Sequence, residues 1–227
     1  MLLQIEGVLD KETVAGFRKE LAAAPWSDGK VTAGYQSALA KNNLQLPEDS
    51  DAAQKLGAKI IAALGKNLLF QSAALPDEIF PPLFNLYREG HGFDIHVDNA
   101  YRPRAQGRGR MRTDLSATLF LAEPDSYEGG ELVVEDTYGE HDIKLPAGDM
   151  ILYPATSLHR VTPIRSGERL AAFFWIRSLV PEDSRRAILF DMDMSIQSLR
   201  REVADDHAAL ITLTGCYHNL LRLWGGR

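Results

Sequence analysis

Apolar residues recur along this chain with two different periods, and the changes of period divide it into stretches. After Asp10, whose carboxylate can cap a helix, Val14, Phe17, Leu21 and Ala22 share one face of a helix predicted over roughly 11–23, with Pro25 just beyond its end. Ala53, Leu56, Ile60 and Leu64 repeat that spacing and predict a second helix over 51–64. The segment between them, VTAGYQSALAKNNLQLPEDS, has turn residues and weak periodicity, and reads as a loop near a site. From Pro81 to Val180 short β-branched and aromatic runs are punctuated by Gly, Pro and Asp, the pattern of antiparallel sheet. Strands are expected at 94–97, 114–121, 131–134, 142–145, 150–153, 159–163 and 169–179. That number and spacing indicate a sandwich or jelly roll with an open mouth between two sheets, where a ligand would bind. After Pro181 two further helices are predicted, over 182–203 and 206–224. Leu210, Leu213, Tyr217, Leu220, Leu221 and Trp224 give the second a wide apolar face that must cover the barrel or another subunit.

Length and composition narrow this picture. A chain of 227 residues with 45% apolar residues can bury a full-sized core, and suits one domain with attached helices. The expected division is an N-terminal helical support over 1–77, a jelly roll over 78–180 and a C-terminal helical extension over 181–227. The formal charge of −6 means that a polyanion could be held only by a local basic patch. Cys216 is the single cysteine, so no intramolecular disulfide can form, and its apolar neighbours Leu213, Tyr217 and Leu220 predict a buried thiol. The opening MLLQIEGVLDKE lacks the pattern of a signal peptide, and the longest purely apolar run, 170–176, is far short of a membrane span. A cytoplasmic protein with no membrane association is expected.

The candidate chemistry lies in the β-rich stretch. In FDIHVDN, His96 and Asp98 are two apart, so on a strand their side chains leave the same face and can share one ion. A mononuclear non-haem Fe(II) site needs two imidazoles and one carboxylate on one face of an octahedron, leaving positions open for cosubstrate and O₂. His159, which starts a later strand after GDMILYP, is the plausible third ligand. Ten residues on, Arg169 opens the apolar strand RLAAFFWIRS, where an inward guanidinium would be costly unless it met a carboxylate. Each element alone has a simpler reading: a hydrogen-bonded surface histidine for the H-x-D pair, and an ion pair within the barrel for Arg169.

Taken in order, the set resembles the prolyl-4-hydroxylase-like Fe(II)/2-oxoglutarate dioxygenases. The likeness covers about 85–178. It rests on Tyr87, Gly90 and Phe93 before His96 and Asp98 in NLYREGHGFDIHVDN, on Leu115 to Leu121, on GGEL at 129–132, on LPAGDMILYP, on LHRVTPI, and on GERLAAFFW, with a Trp six residues after the Arg. With its helical tail included, the whole chain looks like the bacterial PKHD-type hydroxylases, a group associated with iron uptake. The resemblance implies a fold that is mainly β with flanking α: a double-stranded β-helix (jelly roll) with N-terminal helices and a C-terminal helical extension. It implies His96, Asp98 and His159 as iron ligands and Arg169 as the partner of the distal carboxylate of 2-oxoglutarate. Tyr87 would line the cosubstrate pocket and Trp175 would pack beside it. Fe(II), 2-oxoglutarate as cosubstrate and L-ascorbate as reductant are the implied cofactors. O₂ and an unidentified protein or small-molecule substrate complete the reaction, which couples decarboxylation to succinate and CO₂ with hydroxylation. One position departs from some relatives, which carry a tyrosine on the second core strand where this chain has Leu119, with Ser116 or Thr118 as substitutes.

Other features carry less. Arg102, Arg104, Arg108, Arg110 and Arg112 in YRPRAQGRGRMR predict a loop at the rim of the mouth, either solvated or acting as a gate or collar for an acidic substrate. Few aromatics accompany it on an acidic protein, so nucleic acid has poor support. His91 is expected to face away from His96, His141 to sit at a hairpin tip, His207 and His218 to be exposed or capping, and Asp149 to serve a turn. The rival readings are a non-catalytic iron or 2-oxoglutarate sensor on the same fold, and a plain metal-binding barrel, which would have no use for Arg169. The apolar tail helix makes a homo-oligomer an expectation.

Overall fold

The structure, a computed structural model, describes residues 1–32, 41–104, 107 and 109–226. Helix α1 (Lys11–Ala22) begins where Asp10 Oδ1 accepts the Thr13 amide at 2.7 Å, and it buries Val14, Phe17 and Leu21. Helix α2 (Asp51–Leu64) is capped by the Ser50 hydroxyl and buries Ala53, Leu56, Ile60 and Leu64. A short helix α3 (Leu68–Ala74), capped by Asn67, follows at once; it is too brief to show a period in the sequence.

The strands, in chain order, begin with β1 (Leu3–Ile5), β2 (Ser27–Asp28), β3 (Lys41–Asn42), β4 (Leu44–Gln45), β5 (Pro76–Ile79) and β6 (Leu83–Tyr87). Next come β7 (Gly92–His96), β8 (Tyr101–Pro103), β9 (Arg110–Arg112), β10 (Leu115–Phe120), β11 (Tyr127–Gly129) and β12 (Leu132–Asp136). The last are β13 (Gly139–Ile143), β14 (Met150–Pro154), β15 (His159–Val161), β16 (Ile164–Gly167) and β17 (Arg169–Ser178). The larger sheet has the order β1-β14-β10-β17-β6-β4-β2, with β5 pairing the far end of β17. The smaller sheet has the order β13-β12-β15-β7-β3, and all the pairings are antiparallel. This is the expected jelly roll, with more and shorter strands than the apolar pattern reveals.

The two faces of the larger sheet differ in kind. Leu115, Ala117 and Leu119 of β10, Met150 and Leu152 of β14, and Ala172, Phe174 and Ile176 of β17 form one core with α1, α2 and α3. The alternate residues, Phe120, Ile151 and Tyr153 among them, meet Leu132, Val134 and Val161 of the smaller sheet. Because both faces are covered, these strands read as nearly continuous apolar runs, and the few polar residues on the inner face stand out.

Helices α4 (Asp183–Leu199) and α5 (Ala208–Trp224) follow β17. Leu189 joins Leu75 and Val180, and Tyr217, Leu220, Leu221 and Trp224 pack against that cluster. Arg186, fully buried, donates to the carbonyls of Val180 and Pro181 at 2.7 and 2.6 Å, and Ser72 bonds Asp193 at 2.6 Å. Three expectations need correction here. Cys216 is exposed, because α5 turns it away from the contact with α4. Leu213 is likewise exposed, and Leu210 is the one buried residue of α5. The arginine-rich stretch is not a bare loop: β8 and β9 pair as a hairpin, Arg104 holds Glu78 at 2.6 Å and Arg112 holds Asp114 at 2.6 Å. Arg108 lies outside the described residues, as do residues 33–40 of the stretch before Asp51, whose remainder holds the end of a 3-10 turn (Gly29–Thr32) and the short strands β3 and β4.

Candidate active site

Strands β7 and β15 are neighbours, and their register sets His159 opposite His96. The two imidazole centroids are 4.2 Å apart. His96 closes β7, and Asp98 lies two residues past the end of the strand. Its Oδ2 is nevertheless 3.9 Å from His159 Nε2, and one ligand atom from each of the three residues lies within 4.8 Å of the others.

The side chains around this cluster fix its chemistry. His96 Nδ1 lies 2.8 Å from the Asp94 carbonyl and His159 Nδ1 3.0 Å from that of Ser157. A carbonyl only accepts, so the proton belongs on each Nδ1, which leaves each Nε2 lone pair for a metal. Burial, and then the neighbouring His159, hold the His96 imidazole down at about 4, so it is neutral near pH 7. Phe93 stacks on His96 at 3.7 Å and Tyr153 meets His159 edge-on at 5.2 Å, which restricts both rings. The Ser116 hydroxyl donates to Asp98 Oδ2 at 2.6 Å and orients the carboxylate. Two imidazoles with their Nε2 atoms turned to one point and one carboxylate, with aim set by neighbours and open space beside them, fit a mononuclear divalent ion with free positions.

Arg169 starts β17 opposite Tyr87 and is 1% exposed. Its Nε and Nη2 have no hydrogen-bond partner, and no described Asp or Glu forms an ion pair with it. Its guanidinium carbon lies 5.4 Å from the Tyr87 ring centroid and 5.1 Å from that of Phe120. Burial raises the phenol pKa of Tyr87, and raises that of Tyr153 well above its ordinary value, so both stay O–H donors. A buried guanidinium left without an anion costs several kcal/mol, roughly, so the arrangement can receive a carboxylate from a ligand. The GGEL motif serves this end of the cleft. Gly130 has φ of +67°, and a Cβ there would come within 2.4 Å of Ile164 and 3.2 Å of the Arg169 side chain.

One cleft is lined by His96, Asp98, His159, Arg169 and Tyr87 together. Trp175 lines it too, but packs with Phe80, Phe173 and Arg102 rather than beside Tyr87 and Arg169, because it stands six residues along β17. Ser116 and Thr118 both face the cleft, whereas Leu119 faces the helices. Tyr153, Lys41, Asn43 and Asn85 are lining residues that sequence reasoning missed, and Arg102, expected at the rim, lines the cleft as well. Alternation would have exposed Ser116 and Thr118, the only polar positions of LSATLF. Lys41, Asn43 and Gln45 alternate in the same way, but over too few residues to signal a strand. His91 and His141 stay outside the metal cluster, His207 caps α5, and Asp149 accepts the Gly7 amide at 2.8 Å, a structural role.

Residues 82–177 match the model of the 2OG-Fe(II) oxygenase superfamily, and residues 183–225 match that of the PKHD-type hydroxylase C-terminal domain. The chain is 60% identical over 224 residues to a PKHD-type hydroxylase of Saccharophagus degradans, covering 99% of both chains. It is 58% identical, with the same coverage, to one of Phenylobacterium zucineum. Among solved structures, a Pseudomonas putida prolyl-4-hydroxylase superposes with a TM-score of 0.54 at 22% identity, over 78% of this chain and 92% of that one. HygX of Streptomyces hygroscopicus, solved with nickel, 2-oxoglutarate and hygromycin B bound, gives 0.54 at 17% identity over 76% and 81%. At these identities the structural likeness speaks for the fold.

Proposed function

This chain belongs to the PKHD-type hydroxylases, a group of 2OG-Fe(II) oxygenases, and from that premise we propose that it hydroxylates its substrate at a metal held by His96, Asp98 and His159, with 2-oxoglutarate anchored by Arg169. The observation that carries the assignment is the buried Arg169, unpaired with any described carboxylate and opening onto the cleft of the His-Asp-His cluster. Bound there, Fe(II) and 2-oxoglutarate supply the oxidising chemistry: succinate and CO₂ form, and one oxygen atom of O₂ enters a C–H bond of the substrate.

The protein's own residues position and insulate. The Nδ1–H donations of His96 and His159 hold both Nε2 atoms toward one point, and Ser116 holds Asp98 against them. Arg169, with Tyr87 beside it, fixes the far carboxylate of the cosubstrate and with it the orientation of the reacting end. Phe93, Phe120 and Tyr153 exclude water, which strengthens each of these interactions. L-ascorbate as reductant and a place in iron homeostasis are further parts of the proposal, and both rest on the family resemblance alone. Cytoplasmic placement rests on the lone Cys216; no described helix is long and apolar enough to cross a membrane. Association of two or more copies through α5 is supported by exposed Ile211 and Leu223. A monomer mass for both the full chain and one ending at Val180, by light scattering, would remove that part.

The test is an anaerobic visible titration with Fe(II) and 2-oxoglutarate, followed by air and a succinate assay. A metal-to-ligand charge-transfer band and succinate are expected from the wild type, with both impaired in His159→Ala and Arg169→Ala. A wild type that binds neither ligand would sink the assignment. A band with no succinate, even after candidate substrates are supplied, would favour a sensor.

A further inference from the structure

Arg169 belongs to a row of residues that crosses the larger sheet. Its partner on β6 is Tyr87. On the other side of β6, Leu44 pairs with Leu86 and Gln45 with Asn85, so the same register carried back one residue sets Asn43 opposite Tyr87. The pairing of Ser27 with Gln45 and Asp28 with Leu44 carries on in the same way to Gly29 and Asn43, and the Gly29 amide donates to the Asn43 carbonyl at 2.9 Å. Gly29, Asn43, Tyr87 and Arg169 therefore stand in line on four adjoining segments, each about 5 Å from the next. Asn43, Tyr87 and Arg169 all line the cleft.

Within that row Asn43 is 3% exposed, and neither polar atom of its carboxamide has a hydrogen-bond partner. A buried amide left unmatched is costly, so its presence calls for a use. Gly29 shows how the side chain lies. A Cβ at Gly29 would collide with Asn43 Oδ1, so the oxygen rests over Gly29 and the amide nitrogen is left on the side of Tyr87. The phenol responds to it. Burial raises the pKa of Tyr87, while Arg169 and then the Asn43 side chain pull it back down. A hydrogen bond that lowers a phenol's pKa is one donated to its oxygen, so Asn43 Nδ2 faces Tyr87 Oη. That oxygen can accept from one neighbour while its own proton goes to another.

We propose that Asn43 is a positioning residue for the cosubstrate: its amide donates to Tyr87 Oη and so turns the phenol proton toward the distal carboxylate held by Arg169. This rests on the reading of Arg169 as the anchor of 2-oxoglutarate given above. A carboxylate bound at Arg169 draws the Tyr87 proton to itself, and the lone pair thus turned away satisfies the Asn43 amide. One ligand completes the row. Arg169 supplies the charge, and Asn43 and Tyr87 supply the direction. The row favours a 2-oxo acid that ends in a carboxylate over one that ends in a methyl group.

The test is the anaerobic charge-transfer titration with Fe(II), run with 2-oxoglutarate and with 2-oxovalerate, which carries a methyl group in place of the distal carboxylate. The proteins are the wild type, Asn43→Leu, Asn43→Ala, Tyr87→Phe and the double variant Asn43→Leu/Tyr87→Phe. Asn43→Leu, close to isosteric, should weaken 2-oxoglutarate about 5-fold, and Tyr87→Phe, which removes a bond to a charged group, about 10-fold. In the Tyr87→Phe background Asn43→Leu should add less than about 2-fold, because Asn43 acts through the phenol. Binding of 2-oxovalerate should stay the same in all of them. Asn43→Ala gives the same reading if Asn43→Leu does not fold. Unchanged affinity for 2-oxoglutarate in the Asn43 variants, additive losses in the double variant, or an equal loss with both oxo acids would each overturn the proposal. A wild type with no band fails the cosubstrate reading and this proposal with it, whereas a normal wild type with any of those three results fails this proposal alone.

Discussion

Strands β10, β14 and β17 present two faces built from the same backbone, and the two have opposite designs. The outer face carries Leu115, Leu119, Met150, Leu152 and Phe174, packed on three helices with nothing polar among them. The inner face carries Ser116, Thr118, Tyr153 and Arg169, buried as deeply but charged or hydroxylated. A strand alternates its side chains, so a shift of one residue would exchange the two sets. The core therefore holds the register on which the site depends, while the site contributes little to the core and, at Arg169, works against it.

That division can be broken from either side. His159→Ala should abolish Fe(II) binding and turnover, read by the charge-transfer band and by succinate, with the melting temperature of the metal-free protein little changed. The reverse case is Leu119→Ala, expected to cost about 2–5 kcal/mol by urea denaturation because it opens a cavity between the sheet and the helices. Cosubstrate affinity per folded molecule should then be unaltered, and a parallel loss of affinity would show that the faces are not separable. Arg169→Met should weaken 2-oxoglutarate binding ~100-fold, or ~2.7 kcal/mol, without lowering stability, since it removes a buried charge that lacks a protein anion. A large drop in stability would mean instead that Arg169 holds the barrel together. Ser116→Ala is the mildest of the four: metal affinity should fall about 10-fold, the usual effect of losing a bond that orients a ligand, with the fold unchanged. Metal affinity unchanged by that substitution would mean that the backbone alone positions Asp98.

Adding Fe(II) and 2-oxoglutarate should raise the melting temperature of the wild type, because both bind the folded state. The rise should shrink in Ser116→Ala, shrink further in Arg169→Met and vanish in His159→Ala. An equal rise in all four proteins would point to metal binding elsewhere on the surface.

Much of this was determined by the sequence alone. The amphipathic spacing and caps of α1 and α2 locate both helices to within a residue, because capping and facial burial are local effects. The apolar runs of β10, β14 and β17 are visible for the same reason, and the order of His96, Asp98, His159 and Arg169 is a motif that depends on chain order alone. What only the tertiary structure decided is everything that needs two distant segments at once. It set His159 opposite His96, brought Ser116 to Asp98, turned Leu119 away from the cleft, and carried Trp175 and Arg102 to the end away from Arg169. Strands as short as β3 and β4 have no period to read, and pairing with the longer β7 and β6 is what creates them. The same holds for the polar wall of Lys41, Asn43 and Asn85. Their burial comes from the closure of one sheet over another, a contact between remote parts of the chain that no local pattern encodes.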